Sequence, residues 1–357
     1  MQRPLEKIAP EATRTSTRMA DQPTVAVCIP TYNQSRYLIE SVESACRQTY
    51  PGVEVWVSDD ASTDDTPAVL AELARRFPQL RHHRQPVNLN IAANNNWLLA
   101  QPQTDYLVRL DSDDLMEPAY VETLVALMEA NPRAGYAHSA IRVIDESGRP
   151  LLVSRVARRS GFRSADKALR DAVAGYRVAA NIVMFRGSAV RELGFYRGAP
   201  DFVEDYDLSI RMADAGYGNV YCDRVLARYR VWTDPKRVRS KRKGLQLRGL
   251  ARLFEESLRP AFRRRGWNES ILARERLRFA EVHAAGCYEP QYDARERAEL
   301  KDLLFALAGC RPLRLRLRLA ALDLGLRPVF DFERAGLDKL KRTAKTLIHR
   351  VRSLRTA

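Results

Sequence analysis

Apolar residues along this chain fall into two kinds of run. Short, mainly apolar stretches such as residues 24–29 and 53–57 are each followed by a polar loop, then by a longer stretch whose apolar residues recur every three to four positions. The first kind reads as a buried strand and the second as an amphipathic helix. Residues 24–29, ended by Pro30, precede a helix carrying Leu38, Val42 and Ala45; residues 53–57 precede one carrying Val69, Leu70, Leu73 and Phe77. Residues 80–86 give a short strand at best, and a helix from about Ala92 to Leu99 follows. The run Leu107-Val108-Arg109-Leu110 then empties into Asp111-Ser112-Asp113-Asp114, after which Pro118 starts a helix with Val121, Leu124, Val125 and Met128 as its buried stripe. Strands alternating with helices predict right-handed crossovers and an α/β fold on a mainly parallel sheet.

Farther on, residues 134–141 fit a strand, 145–148 a turn, 155–163 a basic, flexible-looking segment where an acceptor can enter, and 181–186 another strand. A short helix over 190–195 is capped near Gly194; Glu204 opens a helix with Leu208, Met212 and Ala215 on its apolar face that stops at Gly216; residues 220–222 and 226–231 read as closing strands. From Gly244 the pattern is helical, with Leu245, Leu250, Leu253 and Phe254, then an amphipathic piece over 271–282. Residues 314–319 alternate with period two, which argues against helix there. The last segment places Leu337, Leu340, Ala344, Leu347, Ile348, Val351 and Leu354 on one face with Lys and Arg on the rest.

Charge divides the 357 residues in the same way. From Lys236 to the end there are 31 Lys and Arg against 14 Asp and Glu, whereas the preceding part is close to neutral. Three regions are expected: a loosely ordered tail over 1–22, a catalytic α/β domain over 23–235, and a basic, mainly helical region over 236–357. A working cleft for nucleic acid carries its own basic groups, so this split argues against a nucleic-acid partner. The basic amphipathic end fits two uses, an anionic membrane surface or packing on the fold. Five scattered cysteines without a Cys-x-x-Cys pair, no signal-like segment and no long apolar run predict a cytoplasmic protein.

Parallel sheets bind ligands beyond the carboxyl ends of their strands, which is where the acids of this chain collect. Asp111 and Asp113 are two apart, so in extended backbone they face one side and can share a hard cation; the other reading is an Asp-rich turn. Asp59 or Asp60 can accept the imino hydrogen of a pyrimidine while Tyr32 offers a face for the base, against a helix-capping cluster and a surface tyrosine. His138, alone in an apolar strand, reads as structural. Glu204, Asp205 and Asp207 suit a first helical turn through the helix dipole, and one of them also suits the role of a general base.

Pro30-Thr31-Tyr32-Asn33, Ser58-Asp59-Asp60-Ala61-Ser62-Thr63-Asp64, Asn88-x-x-Ile91-Ala92-x-Asn94, Leu110-Asp111-Ser112-Asp113-Asp114 with Pro118, and Glu204-Asp205-Tyr206-Asp207-Leu208, in this order, resemble the signature of the family 2 glycosyltransferases over about residues 23–235. The resemblance implies a GT-A fold, a nucleotide-diphospho-sugar donor linked to UDP or dTDP, Mn²⁺ or Mg²⁺, and inversion at the anomeric carbon. It assigns Pro30, Tyr32, Asp59, Asp60, Asn88 and Asp111 to the nucleotide-sugar, Asp113 to the metal, and Asp205, with Glu204 as the alternative, to the base. The implied acceptor is a glycan or lipid-linked intermediate of cell-surface polysaccharide or O-antigen synthesis, at the inner face of the cell membrane. Three departures stand out: Trp232 where many relatives place a metal-binding histidine, Asn90 where glycine is common, and Asn95 where a basic residue often reaches the diphosphate. Residues 236–243 are then a source of phosphate contacts, or a solvated linker. Two other readings remain. A sugar-phosphate nucleotidylyltransferase needs a Gly-rich loop and a basic group after the first strand, which Pro30-Thr31-Tyr32-Asn33 lacks. A non-catalytic GT-A interaction module would be marked by loss of Asp113 or Asp205, and both are present.

Overall fold

The structure is a computed structural model that describes residues 22–197, 201–231 and 242–326. The chain separates into two compact units, one up to Thr233 and one from Asp234.

The first unit opens with β1 (Val25–Thr31), α1 (Ser35–Cys46), β2 (Glu54–Asp59), α2 (Thr66–Arg76), β3 (Leu80–Arg84), α3 (Ile91–Leu99) and β4 (Tyr106–Arg109). Its first strand explains why the sequence shows no alternation. Val25, Val27 and Ile29 pack with Leu38, Val42 and Leu124 in one cluster, while Ala26 and Cys28 pack with Trp97, Leu98 and Leu208 in another. Both faces of the sheet are covered by helices, so every position along the strand is apolar. Then come β5 (Leu115–Met116), α4 (Tyr120–Glu129), β6 (Ala134–Ile144), β7 (Pro150–Ser154), β8 (Gly161–Arg163), α5 (Ala165–Ala172), β9 (Val183–Arg186), α6 (Gly187–Leu193), α7 (Glu204–Asp214) and β10 (Gly218–Arg230).

The strands form one sheet in the order β3-β2-β1-β4-β9-β6-β10-β5, with β7 on β6 and β8 on β10. The first four are mutually parallel, and β9 is antiparallel to both β4 and β6. The sheet is thus mixed, with a parallel half that carries the strand ends of interest. Several expectations need adjustment. β1 runs through Pro30 to Thr31, opposite Ser58 and Asp59. Its pairing with β4 stops at Cys28–Arg109, so on that side Pro30 faces no ladder that needs an N–H. Helix α4 starts at Tyr120, two residues after Pro118. The two closing strands are one long strand, β10, because irregularities around Val225 absorb the polar Asp223-Arg224 break that looks like a turn in sequence.

The second unit is helical: α8 (Lys243–Leu253), a π-helical turn (Phe254–Leu258), α9 (Arg259–Arg264), α10 (Ser270–Ala284), α11 (Ala294–Ala308) and α12 (Leu313–Asp323). A reciprocal capping box between Asp293 and Glu296 opens α11. In α10 the terminal apolar residues Ile271 and Val282 are exposed, and the buried face is Leu272, Arg276, Ala280 and Ala284. Arg276 is buried because it donates to the carbonyls of Leu307 at 2.7 Å and Ala306 at 2.8 Å in the last turn of α11. Residues 314–319 are helical despite their period-two pattern. Leu315, Leu319 and Leu322 share one buried helical face, and Leu313 and Leu317 are exposed on the other side. The segment from Leu337 to Leu354, Trp232, and residues 236–241 lie outside the described residues. Among the described residues no helix is long and apolar enough to cross a membrane.

Candidate active site

Three loops leave the carboxyl ends of β1, β2 and β4 side by side, fixed by the register Thr31–Asp59 and Cys28–Arg109. After β1, Asn33 turns the chain with φ 53°, a conformation that Asn tolerates better than most residues. Its N–H donates to the Ser62 hydroxyl at 2.9 Å, and its side-chain oxygen accepts the Thr63 N–H at 2.8 Å. The first two loops are thereby laced together, with half-buried Pro30 at the strand end and Tyr32 47% exposed between the anchor points.

The two carboxylates after β2 have different surroundings. Asp59 is fully buried; its Oδ1 accepts the Ser62 N–H at 2.9 Å and its Oδ2 lies 3.6 Å from Arg84. Asp60 accepts the Leu89 N–H at 2.7 Å, and the Asn88 amide donates to the Asp60 carbonyl at 3.2 Å. Burial raises the Asp60 pKa, against the backbone donors Leu89 and Asn90 that lower it. Asn88 itself is exposed, and its side-chain oxygen accepts the Asn90 N–H at 3.1 Å. Asn90 has φ 69° and ψ 167°, a region that only glycine occupies without strain. The glycine common at this position in relatives therefore has a backbone reason. Asn94 joins this loop to β2, accepting from the Ser58 hydroxyl at 2.6 Å, while Asn95 is buried rather than directed outward.

Acids crowd the end of β4. Arg109, only 5% exposed, donates to Asp111 at 3.0 Å and to the Asp205 carboxylate at the start of α7. Burial alone would lower the Arg109 pKa, but Asp111 and Asp205 outweigh it and raise it well above normal. The Asp111 pKa is raised by burial and by Asp113 and Asp205, with Arg109 opposing. Asp114 is raised much further by burial, Asp113 and Asp111. Its Oδ1 accepts the Arg230 N–H at 2.8 Å, and the Arg230 guanidinium donates to the Asp113 carbonyl at 2.9 Å and to Glu40 at 2.7 Å. The end of β10 therefore clamps the loop that carries Asp111 and Asp113.

On α7 the acids separate by partner. Asp207 is fully buried against Arg211 at 2.8 Å, a pair that serves the fold. Glu204 is 8% exposed, and burial together with Asp205 pushes its pKa up to about 7. His138 is buried with neither ring nitrogen hydrogen-bonded, and burial, then Arg158, pushes it down to about 3.

The structure thus brings Asp111 and Asp205 onto one guanidinium, with Asp113 beside Asp111 and Glu204 beside Asp205, and Tyr32, Asp60 and Asn88 around the neighbouring loops. The sequence alone does not single out Arg109, Asp114 or Arg230. The signal for Arg109 was a charged residue inside an otherwise apolar strand, which is tolerated in a core only when paired. Among the described residues no group of three or more His, Cys, Asp and Glu side chains converges into a metal cage. Asp111 and Asp113 still fit a hard cation that completes its shell with phosphate oxygens and water, because their mutual repulsion is one of the forces that raises Asp111.

The family model described as Glycosyl transferase family 2 matches residues 26–192. Chondroitin synthase of Escherichia coli is 36% identical over 126 residues, which is 35% of this chain and 18% of that protein. The chain therefore spans less than a fifth of that relative's length. The crystal structure of S. aureus TarS 1-349 in complex with UDP-GlcNAc has a TM-score of 0.62 at 17% identity, covering 87% of both chains. The mannosyltransferase PcManGT from Pyrobaculum calidifontis, in complex with GDP-Man and Mn²⁺, has a TM-score of 0.53 at 21% identity, covering 86% of this chain and 81% of that one. At such identities the likeness is one of fold, the GT-A type. Residues 26–192, which carry the three loops, thus match the family 2 glycosyltransferases, and the architecture around them is of the GT-A type.

Proposed function

We propose that the protein transfers a sugar from a nucleotide-diphospho-sugar to a hydroxyl of a glycan or glycolipid acceptor, with inversion, in the synthesis of a cell-surface polysaccharide. The observation that carries this reading is Arg109, which links Asp111 at the donor end of the sheet to Asp205 at the start of α7. Tyr32 and Asp60 line the loops suited to the base, and a UDP- or dTDP-linked donor fits a carboxylate that accepts an imino hydrogen. Pro30, Asn88 and buried Asp59 shape these loops. Asp111 faces the ribose and, with Asp113, would hold Mn²⁺ or Mg²⁺. When bound, such a cation neutralises charge on the leaving diphosphate.

Asp205 takes the proton of the acceptor hydroxyl as it attacks opposite the diphosphate, and Arg109 orients that carboxylate. A second reading makes Glu204 the base, favoured by its pKa of about 7, close to what proton transfer at neutral pH asks for. Net positive charge from Lys236 onward supports a peripheral site on the anionic inner face of the membrane. Sedimentation of the full chain with anionic vesicles at low salt tests that part. For the donor, calorimetry with UDP, dTDP and GDP in the presence of Mn²⁺ tests the whole reading. One diphosphate should bind, and Asp113→Ala should abolish the metal-dependent part of the affinity; unchanged affinity in the variant would sink the metal assignment.

A further inference from the structure

Beside the acidic centre lies a second polar site. A cavity of about 190 Å³ is lined by Arg158, Arg163, Arg177, Asp171, Ser209 and Asn219, among others. Ser209 is four residues after Asp205 on α7, which puts it one helical turn along the same face. The cavity therefore adjoins the carboxylate proposed as base.

Its charges do not cancel. Three guanidinium groups meet a single carboxylate, that of Asp171, which Arg163 already engages at 2.7 Å. Arg177 donates to the Asp171 backbone carbonyl at 3.3 Å and not to a carboxylate. Arg158 is half-buried, donates to the neutral Asn219 amide oxygen at 2.6 Å, and lies over the Tyr221 ring at 5.5 Å from its centre. Burial, then the nearby Arg163 charge, lowers its pKa. The neighbouring His138 is held neutral and adds no further positive charge. A partly desolvated guanidinium beside another is costly unless an anion joins them, and its planar fork suits two oxygens of one group.

The backbone is built to make this cluster. β8 lies against the start of β10 with Arg163 opposite Asn219. A Cβ on the adjoining Gly218 would stand 2.2 Å from the Arg163 carbonyl, so only glycine lets the two strands approach.

We propose that this cavity is the subsite for an anionic group, phosphate or carboxylate, on the acceptor. The assignment of that anion to an acceptor rests on the glycosyltransferase reading; the anion site itself does not. An acceptor anchored here by its charge would present a hydroxyl toward Asp205 one turn away.

Calorimetry on the full chain tests it, with methyl phosphate and with glucuronate as probes, each titrated with and without UDP and Mg²⁺ so that anion binding at the donor site is separated. At least one probe should bind saturably with UDP and Mg²⁺ present, and the tighter of the two identifies the anion as phosphate or carboxylate. Arg158→Gln should weaken it at least tenfold. Arg177 is exposed and donates to a backbone carbonyl, so Arg177→Gln should weaken binding severalfold without affecting folding. UDP affinity should be unchanged in both variants. If neither probe binds the wild type, or both variants bind as tightly as wild type, the proposal is overturned. Failure of UDP to bind the wild type would instead overturn the donor reading and leave the anion measurement in the absence of nucleotide intact.

Discussion

Arg109 and Asp205 lie 96 positions apart in sequence, yet their side chains meet in a hydrogen bond between full charges. The same guanidinium holds Asp111 at 3.0 Å, so one buried cation fixes the end of β4 against the first turn of α7. Removing it leaves carboxylates crowded without their counter-charge. Breaking a buried pair in this way costs about 3–5 kcal/mol. Arg109→Met should therefore lower the denaturation midpoint strongly. Arg109→Lys, which keeps the charge but not the fork, should fold and lose turnover roughly 10²-fold through misoriented carboxylates. Wild-type turnover in Arg109→Lys would show that the fork has no positioning role.

Glu204 gives stability a pH dependence. Its folded pKa of about 7 lies above the ordinary 4.5, because burial and the Asp205 charge disfavour the anion. The stability tied to its protonated form is complete below about pH 4.5 and is lost as pH rises through 7. By the usual 1.36 kcal/mol per unit, the loss is about 3 kcal/mol. Glu204→Gln should remove that slope, so its stability advantage over wild type should grow from pH 4.5 to 7 and then level off. Parallel curves for the two proteins in urea melts across this range would refute the assignment.

Asn90 stands in backbone that only glycine adopts freely, with φ 69° and ψ 167°. Such a residue costs about 1–3 kcal/mol, partly offset by the flexibility glycine adds to the unfolded chain. Asn90→Gly should raise stability by about 1 kcal/mol and leave the Asp60 loop in place. A melting temperature equal to or below wild type would mean the asparagine side chain compensates its own strain.

The parallel half of the fold and its loops are legible because β1, β2 and β4 are short, mainly apolar runs that end in polar or acidic loops, whereas β3, with only Leu80 buried, is the weakest of the four in sequence. Local pattern decided those elements. The antiparallel half was less so. In sequence β10 looks like two strands because Asp223-Arg224 resembles a turn, and only its pairing with β6 shows a bulge. Helix α12 was obscured for a related reason: Leu at every second position satisfies two opposite helical faces at once, and which one is buried depends on its neighbours. At the site, the motif carboxylates could be named from sequence. Their partners could not, since Arg109 and Arg230 acquire meaning only when β4, α7 and β10 come together.

The choice between Asp205 and Glu204 rests on what each side chain does before an acceptor arrives. Asp205 is held by Arg109 at the mouth of the acidic centre, while Glu204 is 8% exposed and shares its charge with the same neighbours. Asp205→Asn keeps size and hydrogen-bonding reach but cannot accept a proton. With Asp205 as base, transfer should fall by roughly 10²–10⁴-fold while donor affinity stays close to wild type, because the base meets the acceptor hydroxyl and not the nucleotide. Glu204→Gln should then retain most turnover and lose only the pH-dependent stability described above. The opposite pattern, a silent Asp205→Asn and an inactive Glu204→Gln with both variants folded, would move the proton transfer to Glu204 and leave Asp205 as the counter-charge that positions Arg109.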